Sequence, residues 1–174
     1  MSKIERERLV AHLEMTESWL ADEVSKLSPA QLRFRPAAGG WSVMEVVEHL
    51  TIAEPIYWQQ LRDAVNEPPN DKKGQVTDTD ILWYGIDRTQ RQKTEAAKEP
   101  PRRLQDVRAG LEAFHKLHAE MLAYARTSDD DLRGRFMPKE GVDAYQWLLG
   151  ISTHAQRHIM QIREIKANTE FPVN

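Results

Sequence analysis

Apolar side chains recur at helical spacing in four stretches of this chain, each far too long to be a strand, and nothing constrains its fold more. Ile4, Leu9, Leu13, Leu20, Val24 and Leu27 mark a first helix over about Lys3 to Lys26. Val43, Val46, Val47, Ala53 and Tyr57 mark a second, from Trp41 or Ser42 to about Val65. A third, from about Arg103 to Arg126, carries Leu104, Val107, Leu111, Phe114, Leu117, Met121 and Leu122 on one face, and a fourth runs from about Asp143 to Ala167. Each helix has an apolar stripe to bury, and four such stripes can bury one another. The expected fold is therefore all-α, a four-helix bundle.

Punctuation between the stretches sharpens this reading. Ser28-Pro29-Ala30-Gln31 has a capping serine, a proline at the first helical position and a glutamine placed to reach back, so a short turn of helix follows the first rod. Pro36 and Gly39-Gly40 end it, and Ser42-Val43-Met44-Glu45 is a second capping box. Pro55 lies inside the second helix, removes the hydrogen bond to the Thr51 carbonyl and is expected to bend the rod just past His49. Between Asn66 and Arg102 the chain is rich in proline and charge, with a short helix expected around Asp80 to Thr94. A connection of that length can cross the whole bundle, which lets the second and third helices run parallel and gives up-down-down-up order.

The 174 residues suit one domain spanning 1–174, large enough to bury a core without disulfides or a metal, so an ion bound here would serve function. No cysteine is present, which removes disulfides, thiolate ligands and a protein thiol nucleophile together. A net charge of −3 with no basic run gives nucleic acid no footprint, and no long uncharged apolar run could span a membrane. The first residues, Met1 to Arg8, alternate charges without the apolar stretch of a secretory signal, so a cytoplasmic location is expected.

His154 and His158 stand four residues apart on the fourth helix, one above the other, among Trp147, Ile151, Ile162 and Ile165. Both rings should point into the bundle, where an imidazole needs partners for both nitrogens; a divalent cation on one and an oxygen on the other would satisfy it. His49, at the edge of the second helix's apolar stripe, is the candidate third ligand, and three histidines would leave a coordination position open. A di-iron bundle needs two Glu-x-x-His units, and only Glu112 to His115 fits; a zinc protease needs a glutamate after the first histidine, where Ala155 stands. His12, His115 and His118 are expected at the surface, Glu45 as a capping residue and Glu48 facing solvent. No general base suggests itself from the residues. Trp41, Tyr57, Trp58, Trp83, Tyr84 and Trp147 are candidates for an apolar pocket over the ion, and Arg157 for a contact with a partner helix or an acidic side chain.

Three segments together resemble the DinB/YfiT-like superfamily of metalloenzymes: Gln31 to Pro36, Gly39-Gly40-Trp41-Ser42 through His49-Leu50, and His154-Ala155-Gln156-Arg157-His158 through Ile162. The resemblance spans nearly the whole chain. It implies a four-helix bundle with a central ion, zinc or nickel, held at positions matching His49, His154 and His158. It also implies a small-molecule substrate, and either hydrolysis or transfer from a low-molecular-weight thiol cosubstrate. Some thiol-dependent relatives carry a glutamate ligand where this chain has His154, a departure that counts against carrying over that particular chemistry. With three neutral imidazoles an ion keeps its positive charge, and can activate water or hold a thiolate. The competing expectation is a non-catalytic bundle, a homodimer among its forms, in which the ion is structural or the site vestigial.

Overall fold

In a computed structural model the described residues are 1–37, 39–70, 74–90, 93–137 and 141–173. Each of the long helices begins on a side-chain cap. Ser2 opens α1 (Lys3–Val24), Ser42 opens α3 (Val43–Asn66), Asp106 opens α5 (Val107–Thr127) and Asp143 opens α6 (Ala144–Lys166). Each cap satisfies an amide that would otherwise lack a partner at the helix start. Two short helices, α2 (Pro29–Arg33) and α4 (Asp78–Tyr84), lie in the connections, with one 3-10 turn at Ala96–Lys98. The helix α2 has the expected capping box on Ser28 and Gln31. Pro55 is accommodated inside α3, which continues to Asn66 as one element.

Two hydrophobic clusters show how the rods run. At one end, Leu9 and Leu13 of α1 meet Leu61 and Val65 of α3, Met121 and Ala125 of α5, and Leu148 of α6. At the other, Leu20 and Val24 meet Val43 and Leu50, Phe114, and Ile159 and Ile162. The early part of α1 thus lies beside the late parts of α3 and α5 and the early part of α6, which is the up-down-down-up order expected from the crossover. The helix α6 packs against both α1 and α3, and α5 completes the square on the opposite side.

The crossover between α3 and α5 runs along the bundle and is fastened at three places. Near its beginning, Arg133 donates to Glu5, Asp78 and Asp143, joining the starts of α1, α4 and α6. In its middle, Arg157 of α6 donates to the carbonyls of Tyr84, Asp87 and Gln90, with its guanidinium 4.6 Å from the centre of the Tyr84 ring. These contacts explain why α4 stops at Tyr84, well short of Thr94: the carbonyls beyond it are turned towards Arg157 instead of along a helix axis. At its end, the Glu48 carboxylate accepts the backbone N–H groups of Arg102, Arg103 and Leu104 at 2.8, 2.6 and 2.8 Å. Glu48 is therefore buried, not solvent-facing, and it holds residues 102–104 out of helical conformation, so α5 begins at Val107 and not at Arg103. Arg102 adopts a φ of 62°, which lets three successive amides converge on one carboxylate. Among the described residues, no helix is long and apolar enough to cross a membrane.

Candidate metal centre

His49 lies on α3 two turns beyond the Ser42 cap, while His154 and His158 occupy successive turns of α6. The antiparallel contact of α3 with α6 brings the three rings together, with centroids 5.2 Å apart for His49 and His154, 4.5 Å for His49 and His158, and 4.6 Å for His154 and His158. One nitrogen from each ring lies within 4.8 Å of the others. His49 and His154 are buried, and His158 is partly exposed towards a cleft.

Each ring has an outer partner that bears on which nitrogen faces inward. His49 Nδ1 lies 2.7 Å from the Lys98 carbonyl, which can only accept, so this nitrogen carries the proton and Nε2 keeps its lone pair. His158 Nδ1 lies 2.8 Å from Gln161 Oε1, and the same reasoning frees its Nε2. His154 Nδ1 faces Glu54 Oε1 at 3.7 Å, beyond hydrogen-bonding distance, and neither atom has another partner. His154 Nε2 and His49 Nε2 are 3.2 Å apart. Two nitrogens bound to one tetrahedral ion at 2.0–2.1 Å would be about 3.3 Å apart, so the donor set fits a small divalent cation.

Electrostatics favour neutral rings at His49 and His158. Burial, then the neighbouring His154, pushes His49 down to about 4, and burial with the charges of His154 and His49 holds His158 well below the usual histidine range. Neutral imidazoles with converging lone pairs are the form that ligates a cation. Glu54 is wholly buried; burial pushes its carboxyl up, but hydrogen bonding and charge from His118, then His154, outweigh this and hold it below the ordinary carboxylate value.

A cleft of about 500 Å³ opens over the three rings. Trp41, Tyr57 and Tyr84 are the aromatic residues of its wall. Trp41 stacks on His158 at 5.9 Å and 17°, and the turn that delivers it uses Gly39 and Gly40 at φ 88° and 118°, a backbone region that side chains disfavour. The other aromatic candidates serve elsewhere. Trp58 packs in the core against Tyr124, Trp147 donates its indole N–H to the Tyr57 carbonyl, and Trp83 is 62% exposed on the outer face of α4. Lys98, 4.5 Å above the Tyr57 ring, adds a cation to the wall, and the crossover thereby contributes both an outer partner of His49 and a side of the cleft.

The remaining histidines divide. His115 is exposed and pairs with Glu17, as expected of a surface residue. His12 is half-buried between Ser152 and Gln156, at 2.7 and 3.2 Å. His118 is fully buried, contrary to the surface expectation, and its Nε2 lies 3.0 Å from Glu54 Oε2. Sequence reasoning missed Glu54 altogether. Its signal was positional, because Leu50, Glu54, Trp58 and Leu61 share one α3 face, just as Phe114, His118, Met121 and Ala125 share one on α5.

Fold and site together define a class: a four-helix bundle whose interior opens, at one cleft, on three convergent imidazoles. The chain belongs to the DinB superfamily, whose family model matches residues 9–162. It is 27% identical over 161 residues to the uncharacterized protein YuaE of Bacillus subtilis (strain 168), covering 88% of this chain and 93% of that one. Its fold resembles the solved structure of YfiT from Bacillus subtilis, with a TM-score of 0.66, 21% identity and coverage of 95% of this chain and 88% of that one. YfiT is described as a probable metal-dependent hydrolase with an unusual four-helix bundle topology.

Proposed function

We propose that this chain is a metal-dependent enzyme acting on a small molecule, with His49, His154 and His158 as ligands of one divalent ion. The observation that carries the reading is the convergence of three ring nitrogens at the floor of an open cleft. A purely structural ion would be enclosed, whereas these three rings line a cleft with space for a substrate. Zinc or nickel suits an all-imidazole set. When bound, such an ion supplies a positive charge that polarises a carbonyl and makes water, or a borrowed thiol, nucleophilic near neutral pH.

The chain's own residues then have simple tasks. His49 and His158 present Nε2 because Lys98 and Gln161 occupy their Nδ1 sides. Trp41 and Tyr57 exclude water from the flanks, and the Lys98 ammonium stands where it can meet negative charge on a substrate. Hydrolysis is the preferred reaction, supported by the description of YfiT; transfer from a thiol is the second reading, and it would need a borrowed thiol because the chain has no cysteine.

Metal analysis of tag-free protein tests the assignment. About one equivalent of ion is expected in the wild type and little in His158→Ala or His49→Ala, with the helical content of both variants retained. Equal metal in wild type and variants would overturn the ligand set. Ester and amide substrates, assayed with and without added thiols, then separate hydrolysis from transfer, and activity that survives chelation would remove the metal from the reaction.

A further inference from the structure

Behind the candidate ligands lies a second polar layer that does not itself line the cleft. Glu54 and His118 are both completely buried, Glu54 on α3 and His118 on α5, in the interior of the bundle. An ionised carboxylate in such a place is costly unless its oxygens are occupied. His118 occupies one of them, with Nε2 3.0 Å from Oε2. The other oxygen, Oε1, has no hydrogen-bond partner and faces the equally unpartnered Nδ1 of His154 across 3.7 Å. The Phe114 ring covers His118, 3.9 Å away between centroids, and limits its movement.

Resting on the metal-site reading above, we infer that Glu54, held by His118, is a positioning residue that fixes the His154 tautomer and ring orientation for metal binding. A carboxylate can only accept, so a His154 ring drawn towards it must carry its proton on Nδ1, leaving Nε2 bare beside His49 Nε2. A shift of under about 1 Å closes the present gap to an ordinary hydrogen bond. The arrangement also gives the site a buried negative charge. His49 and His158 are oriented by a neutral carbonyl and a neutral amide, so among the outer partners of the three rings Glu54 is the one whose charge offsets that of a bound ion. His118 acts at one further remove, because its hydrogen bond decides which way the carboxylate plane turns.

The test compares Glu54→Gln, Glu54→Asp and His118→Gln with wild type, using Zn(II) and Ni(II) alone as probes. An amide turned with its NH2 towards His154 would favour the opposite tautomer, so Glu54→Gln should bind metal about 10- to 100-fold more weakly in chelator competition. Glu54→Asp keeps the charge and should recover part of that loss, and His118→Gln should fall between. Nitrogen-15 NMR of the metal-free protein gives a readout that depends on neither metal nor turnover: wild-type His154 should carry its proton on Nδ1, and Glu54→Gln should move it to Nε2. Wild-type His154 protonated on Nε2 would overturn the inference, as would unchanged metal affinity in a folded Glu54→Gln. A wild type that binds neither metal but shows the Nδ1–H tautomer would refute the metal-site reading and leave the Glu54–His154 coupling established. If Glu54→Gln does not fold, the wild-type spectrum and His118→Gln decide the matter.

Discussion

Replacing Arg157 with methionine would loosen the middle of the crossover on α6 while leaving the helices themselves intact. Arg157 is 5% exposed and donates to three carbonyls, those of Tyr84, Asp87 and Gln90, over a stretch of chain whose other polar tie to α6, among the described residues, is Arg88, paired with Glu164 and donating to the Arg157 carbonyl. Hydrogen bonds from a charged donor contribute about 1.5–3 kcal/mol each, and the contact with the Tyr84 ring adds roughly 1 kcal/mol. Burying the guanidinium offsets much of that sum, so a net loss of about 3 kcal/mol is expected. In a chain of this length each kcal/mol moves the melting temperature by about 2–4 °C, which gives a fall of roughly 6–12 °C for Arg157→Met. Methionine preserves most of the stem, so the loss reports on the clasp and not on a cavity. Amide exchange should accelerate at residues 84–90 before it does in α3 or α6, because the crossover can open locally. A melting temperature within about 1 °C of wild type, together with unchanged exchange at residues 84–90, would refute this reasoning.

Other perturbations probe the remaining supports. Metal-free protein should lose stability as pH falls: His49 is lowered to about 4, so between its unfolded value near 6.5 and about 4 the unfolded chain binds more protons than the native one. Denaturant midpoints measured from pH 7 to pH 4 should therefore decline, by an amount equivalent to a few kcal/mol, and a flat profile would show that the rings are not held neutral. Ser42→Ala removes the cap of the helix that carries His49 and should cost about 1 kcal/mol by chemical denaturation, with Ser42→Thr, which keeps the hydroxyl that donates to Glu45, nearly neutral. Glu48→Ala leaves three backbone amides at residues 102–104 without their acceptor, and should cost about 2–4 kcal/mol and expose the end of the crossover to proteolysis.

Local signals carried most of the fold. Periodicity located α1, α3, α5 and α6, and the caps at Ser28 and Ser42 set two boundaries because a cap is decided by residues three apart. The convergence of His49, His154 and His158 was legible for a related reason: a spacing of four on one helix, and a place on the apolar stripe of another, both translate directly into direction. What escaped were residues whose surroundings depend on partners far along the chain. Glu48 looks solvated until residues 102–104 fold back upon it, and Glu54 and His118, 64 positions apart, are each costly to bury alone and acceptable only as a pair. The end of α4 was hidden likewise, because the side chain that claims its following carbonyls belongs to α6.

Because α3 and α5 run the same way, the segment joining them has to travel the length of the bundle, and it does so across α6, where it supplies Tyr84, Arg88 and Lys98 to the cleft. Lengthening such a connection is thermodynamically cheap, at about 0.6 kcal/mol for each doubling. The rods and their imidazoles can thus remain a fixed chassis while changes in this one strap reshape what the cleft admits. The shape of the cleft is thereby set largely by a connection and not by the rods, and exchanging residues 78–98 between members of the superfamily, with the carbonyls that meet Arg157 and His49 kept in place, is the direct way to change it.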